Sequence, residues 1–182
     1  TPPAKDGAAQ AMCLTPVRPD GDRSMNTYLG AAQELSSRDV DEKRVASAQI
    51  LYIEGYLWDA PSAKEACLKA IRAAKKTGTK VAFTLSDPFL VGRYRAEFRA
   101  LLSELDIIFA NEEEAKSLFE LESFDAVLQA ARSSWHGIAA LTRSEKGCVI
   151  ALGSEIHFVD SAPNQRAARH TARGHPFRPV LP

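Results

Sequence analysis

The sequence predicts an α/β domain built on a mainly parallel sheet with helices on its faces, accompanied by a small β-hairpin. Three observations carry that prediction. Short apolar runs of buried-strand type alternate, over residues 49–142, with longer stretches that carry helix start and stop signals, the order expected of βαβ units. The last two apolar runs are separated only by Gly153-Ser154-Glu155, a spacing suited to a hairpin closing the sheet. Finally, 182 residues with 45% hydrophobic and 25% charged side chains can bury one medium-sized core, which excludes a wholly disordered or collagen-like chain.

Taken in order, residues 12–17 and 23–29 are extended runs flanking Pro19-Asp20-Gly21-Asp22, whose Pro, Asp and Gly favour a tight turn, so the β-hairpin is expected there. Ser36-Ser37-Arg38-Asp39-Val40-Asp41 opens a short helical stretch, and Gln49-Ile50-Leu51-Tyr52-Ile53 reads as the first buried strand. Pro61 is at home in the first turn of a helix running to about Lys76, which Gly78 ends; Lys80-Val81-Ala82-Phe83-Thr84-Leu85 follows as strand. A second helix is expected from near Arg93 to Leu105, then Asp106-Ile107-Ile108-Phe109-Ala110 as strand. Asn111 starts a third helix and a fourth covers residues 124–133, before Gly137-Ile138-Ala139-Ala140-Leu141-Thr142 as strand and the closing hairpin of 148–152 and 156–159. From Asn164 onward the periodic apolar pattern stops and Arg, His and Pro dominate.

Charge excludes some functions. Lys plus Arg and Asp plus Glu each total 23, so no overall field favours nucleic acid or an anionic membrane, and neither is expected as a partner. The balance conceals an asymmetry: Arg166, Arg169, Arg173 and Arg178 follow Asp160 without any acid, leaving a mildly acidic body and a basic tail. Cys13, Cys67 and Cys148 lie far apart without a C-x-x-C pair, which suits neither a disulfide framework nor a zinc site and points to a reducing cytoplasm. No apolar run nears the roughly 20 residues that span a bilayer, and the opening residues lack a signal peptide's apolar stretch. The first residue is Thr1 and not Met, which fits an N-terminal truncation.

Ligands of open α/β sheets bind beyond the carboxyl ends of the strands, so the residues leaving each strand are the ones to weigh. Four exits are polar: Glu54-Gly55, Ser86-Asp87, Asn111 with Glu114, and Thr142-Arg143-Ser144-Glu145-Lys146-Gly147. Asn111 and Glu114 stand at N-cap and N3 of a helix, where they can satisfy free backbone donors reciprocally; the same carboxylate could hold hydrated Mg²⁺ beside a phosphate, and the two roles are compatible. The 142–147 segment reads either as a bare turn or as a loop whose amides and hydroxyls approach an anion. Asp87 before Pro88 can simply start the next element, and Glu54 can face solvent. His136 and His157 are isolated and suit edge placement better than metal ligation. Tyr28, Tyr52, Tyr56 and Trp58 could stack on a ring, although strand aromatics more often serve packing. No P-loop, G-x-G-x-x-G turn or G-x-S-x-G elbow occurs.

Residues 19–30, from Pro19-Asp20-Gly21 to Tyr28-Leu29-Gly30, and Tyr52-Ile53-Glu54-Gly55-Tyr56-Leu57-Trp58-Asp59 resemble segments of the ribokinase-like sugar and nucleoside kinases, the PfkB carbohydrate kinase family. Thr84-Leu85-Ser86-Asp87, Phe109-Ala110-Asn111-Glu112-Glu113-Glu114-Ala115 and Thr142-Arg143-Ser144-Glu145-Lys146-Gly147 continue the likeness in order up to about Val159, and it is nearest to the bacterial adenosine-kinase-like branch. The resemblance implies ATP-dependent transfer of a γ-phosphate to a hydroxyl of a sugar or nucleoside, adenosine-like nucleosides ranking first. It also implies a ribokinase-like three-layer α/β/α fold whose hairpin of residues 12–29 forms a lid, with Asn26 and Tyr28 on the substrate side. Asn111 and Glu114 match the N-x-x-E motif that positions Mg²⁺ and phosphate, and Thr142, Ser144 and Gly147 fall on the T-x-G-x-x-G nucleotide segment. Ser144 replaces its first Gly, and since Ser tolerates positive φ poorly the exact backbone path there is an open point.

Two departures bear on activity. The family's earlier strand and Gly-Gly loop, which supply most substrate contacts, have no counterpart before the hairpin. Where the family carries D-T-x-G-A-G-D, with its anion-stabilising glycines and basic Asp, this chain has Arg169-His170-Thr171-Ala172-Arg173-Gly174-His175. His175 is the positional candidate for the base, and no residue fills the Asp role. Residues 1–160 are therefore expected to form a partial kinase domain and 161–182 a tail arising from a frameshift, a misplaced gene end or decay of the coding sequence. Little or no turnover is expected from the chain alone. The alternatives are a non-catalytic nucleotide-binding or regulatory protein on a kinase scaffold, and an interaction module that forms homo-oligomers through the hairpin or an exposed sheet edge. One sheet edge and an apolar face are expected to lie uncovered.

Overall fold

The computed structural model describes residues 9–19 and 23–162. The expected turn residues Asp20, Gly21 and Asp22, the tail from residue 163 and the candidate His175 lie outside the described residues.

The hairpin forms where the turn chemistry puts it. Strand β1 (Met12–Leu14) pairs antiparallel with β2 (Asn26–Tyr28), Met12 opposite Tyr28, and a bridge joins Val17 to Arg23 nearer the turn. A 3-10 turn over Gly30–Glu34 and another over Ser37–Asp39 lead to helix α1 (Glu42–Ser47), which Asp41 caps by accepting from the amides of Lys43 and Arg44.

The second sheet has six strands in strictly sequential order: β3 (Ile50–Glu54), β4 (Lys80–Thr84), β5 (Ile107–Asn111), β6 (Ile138–Thr142), β7 (Cys148–Leu152) and β8 (Glu155–Val159). The first four are parallel and the last two antiparallel. Between the parallel strands run α2 (Pro61–Thr77), α3 (Pro88–Leu101), and α4 (Glu112–Phe119) with α5 (Phe124–Ser134). Helix α2 begins on Pro61 and ends on Gly78 at φ +76°, the left-handed stop the sequence signalled. One boundary differs from expectation: α3 starts at Pro88, not near Arg93. Asp87 accepts from the amides of Phe89 and Leu90, and Pro88 needs no donor in the first turn, so the Asp-Pro pair launches the helix five residues earlier.

Right-handed crossovers between strands laid down in one direction place their helices on the same side of the sheet. Burial follows that rule. Leu51 and Ile53, Val81 and Phe83, Ile108 and Ala110, Ala139 and Leu141, and Val149 and Ala151 alternate onto the helical face and, Leu51 aside, are fully buried. At its centre Phe83 meets Trp58 edge-on at 5.5 Å and Phe98 of α3 at 5.2 Å. Truncating such a ring typically costs about 3–5 kcal/mol. The residues between them point the other way. There Ile50 and Tyr52 are each 53% exposed and Val159 is 51% exposed, while Ile107, Phe109, Ile138 and Ile150 are half-buried. The described residues thus comprise the sheet and one helical layer of the α/β/α arrangement, with an apolar sheet face open as expected.

Candidate functional site

All four parallel strands present their carboxyl ends on one rim, and register brings the expected segments together. Glu54 lies opposite Thr84, and Asn111 lies opposite Thr142 on the adjacent strand. Asn111 caps α4 through a reciprocal box: its Oδ1 accepts from the Glu114 amide at 2.8 Å, while its own amide donates to Glu114 Oε2 at 3.0 Å. Asn111 Nδ2 also donates to Glu114 Oε1 at 2.7 Å, so both carboxylate oxygens are engaged. Glu114 is buried, and its carboxyl is pushed above the usual range, first by that burial against the opposing pull of the Asn111 amide, with the charge of Asp87 adding to the rise.

The loop after β6 is held by its own backbone. Arg143 N donates to Gly147 O at 2.8 Å, and Lys146 N donates to Arg143 O at 3.0 Å, around a 3-10 turn over Ser144–Lys146. Ser144 adopts φ +52°, so the left-handed conformation survives the replacement of glycine, and the open point is resolved in favour of a Ser in that region. Gly147 has φ +80° and ψ −139°, a combination that side chains avoid. A Cβ there would stand 2.0 Å from Val159 O, leaving no room for any other residue. From the next residue pair inward, Arg143 Nε donates to Glu112 Oε2 at 3.0 Å and its guanidinium lies 3.8 Å over the Phe124 ring. Because that contact joins three elements far apart in sequence, no local pattern announced it.

Between these segments and β3 sits the β4 exit. Ser86 has φ +71°, and its carbonyl accepts from Tyr56 Oη at 3.0 Å. The Tyr56 hydroxyl is pushed up by burial first and then by the charges of Asp87, Glu114 and Glu54. Tyr56 thus sits on the rim, whereas Tyr52 stacks edge-on against Phe109 at 6.2 Å on the open face and Trp58 belongs to the core.

The remaining candidates stand apart. Asn26 and Tyr28 are exposed on the hairpin, and no hydrogen bond among the described residues ties either to the rim. His157 is exposed on β8, and His136 borders a groove of about 960 Å³ at the opposite, amino ends of the strands, lined among others by Lys80, Asp106 and Trp135. Among the described residues no group of three His, Cys, Asp or Glu side chains could cage a metal ion. What the donor set fits is a hydrated Mg²⁺. That ion keeps several waters and leans on one or two carboxylates plus phosphate oxygens, and Glu114, though bonded on both oxygens, retains acceptor lone pairs for a bound water.

Known proteins share the fold. A probable sugar kinase from Rhizobium etli CFN 42 superposes with a TM-score of 0.80 and 45% identity, covering 85% of this chain and 47% of that one. The adenosine kinase of Sinorhizobium meliloti gives 0.80 and 44%, covering 85% and 48% respectively. Guanosine-inosine kinase of Escherichia coli is 28% identical over 110 residues, 58% of this chain and 25% of that protein. The chain therefore spans about half the length of the two solved kinases and a quarter of the curated relative. The model of the pfkB family carbohydrate kinases matches residues 3–168, nearly the whole sequence, and on that ground the chain belongs to the pfkB carbohydrate kinase family.

Proposed function

We propose that the chain is part of an ATP-dependent kinase that phosphorylates a hydroxyl of a small nucleoside or sugar, with adenosine-like nucleosides ahead of simple sugars. The observation that carries the reading is the register of β5 and β6, which sets the Asn111 cap and the Thr142 loop side by side at the carboxyl rim. ATP·Mg²⁺, when bound, supplies the phosphoryl group and the cation that offsets its charge. In this reading Thr142, Ser144 and Gly147 shape a short anion-facing loop, whose tight path is set by the positive φ of Ser144 and Gly147. Asn111 fixes the Glu114 carboxylate by two hydrogen bonds, one from its backbone amide and one from Nδ2, so that it can orient water around the ion without moving itself. The N-terminus of α4 adds a favourable field for phosphate, partly offset by its own three glutamates. Asn26 and Tyr28 would approach the acceptor only if the hairpin swung towards the rim.

The similarity to both an adenosine kinase and a probable sugar kinase supports the substrate class. No helix among the described residues is long and apolar enough to cross a membrane. The proposal places the kinase in the cytoplasm, because three widely spaced cysteines without a C-x-x-C pair suit a reducing compartment. Since Arg173-Gly174-His175 stand where the family keeps its glycines and basic Asp, the 182-residue chain is expected to bind nucleotide without sustained turnover, as a non-catalytic binder would. Calorimetric titration of Mg·ATP, with ADP release measured in the presence of adenosine or ribose, tests both parts. Absence of Mg·ATP binding defeats the nucleotide reading, and steady ADP formation with adenosine or ribose defeats the claim of inactivity.

A further inference from the structure

We propose that Arg143 is a positioning residue, which locks the 142–147 loop from behind so that its phosphate-facing side is set before nucleotide arrives. This rests on the nucleotide reading of that loop.

Strand alternation puts Leu141 in the core, and Arg143, two residues on, continues on the helical side, opposite in parity to Thr142 and Ser144. Its side chain is only 20% exposed. Two groups hold it, one of them braced in turn by a third. Nε donates to Glu112 Oε2 at 3.0 Å, the guanidinium plane covers Phe124 at 3.8 Å, and Glu112 is itself held by Lys116 Nζ at 3.0 Å one turn along α4. The same residue fastens the loop through its backbone, by the Gly147 and Lys146 bonds described above. The side-chain clasp therefore transmits the position of α4, and with it the Asn111–Glu114 cap, directly to the loop.

Electrostatics argues that the cation is kept for this purpose. Glu112 opens α4 and Phe124 opens α5, so Arg143 stands by the positive ends of two helices, where a cation is disfavoured. Glu112 neutralises it, and the two oppositely acting residues add rigidity without adding net charge. Burial would raise the Glu112 carboxyl, but Arg143 and Lys116 outweigh it and hold the group below its usual range, which keeps the partner ionised across neutral pH. A lysine could carry the charge but has neither the planar fork nor the stacking face.

The test is calorimetric titration of Mg·ATP into the 182-residue chain at a temperature well below its melting point, for the parent, Arg143→Gln, Arg143→Lys, Glu112→Gln and the Arg143→Gln/Glu112→Gln double variant. Each single variant is expected to weaken binding about fivefold, with the double variant no weaker than the worse single, as coupled residues behave. Arg143→Lys is expected to fail like Gln, because the retained charge does not restore the geometry. A purely structural role would lower the melting temperature and leave the dissociation constant of the folded protein unchanged. Parent-like affinity in Arg143→Gln and Glu112→Gln, or losses that add, overturns the proposal while leaving the nucleotide reading intact. Failure of the parent to bind Mg·ATP overturns both.

Discussion

Replacing Gly147 by Ala probes the candidate loop with a single carbon. Two costs arise from the geometry. The backbone at φ +80° and ψ −139° is one that a residue with a side chain occupies at roughly 1–3 kcal/mol. The added Cβ would also fall 2.0 Å from Val159 O and 2.9 Å from Ser161 N. Both neighbours are backbone atoms, and Val159 is tied into the sheet opposite Cys148, so no rotamer change relieves the overlap. Overpacking of this kind costs a further ~1–3 kcal/mol. A total near 3 kcal/mol lowers the melting temperature by about 6–12 °C in a chain of this size. Ser144→Gly supplies the control. It removes a left-handed Ser, worth about 1–2 kcal/mol, and adds about 0.5–1 kcal/mol of backbone entropy loss, so the melting temperature should stay nearly constant or rise slightly. Circular-dichroism melts of the parent and both variants decide the matter. A Gly147→Ala protein that melts within about 1 °C of the parent would refute the close approach of the loop to β8 on which the site geometry depends.

Other expectations concern acid, core and surface. Asp106 is held below its usual range because the Val81 amide and Lys80 outweigh the upward push of burial. Its contribution is therefore present above the unfolded carboxyl value of about 3.9 and is lost as pH falls through the folded value, so urea midpoints should drop less steeply below pH ~4 in Asp106→Asn than in the parent. Glu114 acts with the opposite sign: its raised carboxyl favours the folded state most at low pH and costs stability as pH rises through the folded value, a trend Glu114→Gln should lack in the same measurement. Trp58→Phe removes the indole donor to Glu97 Oε2 at 3.0 Å and part of the contact with Phe83 and Phe98, and should cost about 2–3 kcal/mol by urea denaturation. Ile50→Lys with Val159→Lys, on the open sheet face, should leave stability within about 0.5 kcal/mol while reducing concentration-dependent self-association in sedimentation; unchanged association would place the sticky surface elsewhere.

What the sequence announced and what it withheld differ in range. Pro61 and Gly78, Asn111 and Glu114, and the Gly153-Ser154 turn act on neighbours within a few residues, and each delimits its element as read. The start of α3 was equally local: Asp87 and Pro88 are a capping pair, but the apolar Phe89-Leu90-Val91 and Gly92 behind them masked the helical period. The rim was legible because parallel strands share a polarity, which sends Glu54, Ser86, Asn111 and Thr142 to one end. The Arg143–Glu112–Phe124 clasp and the Tyr56–Ser86 bond were not, since they join residues 19 to 31 positions apart through the tertiary fold. Nor could composition show that Ser144 would accept the glycine conformation, which the hydrogen bonds of the surrounding loop impose.

The sequential strand order also has a kinetic side. Among the described residues each strand from β4 to β8 pairs with the one synthesised just before it, so none of them must wait for a distant segment to find that neighbour. Loop closures stay short for a parallel architecture, which lowers the mean separation of contacting residues and favours rapid folding. As the polypeptide leaves the ribosome, each of β4 to β8 can dock on the strand before it like a course of brick, and the Asn111 and Thr142 segments come into register when β6 docks on β5.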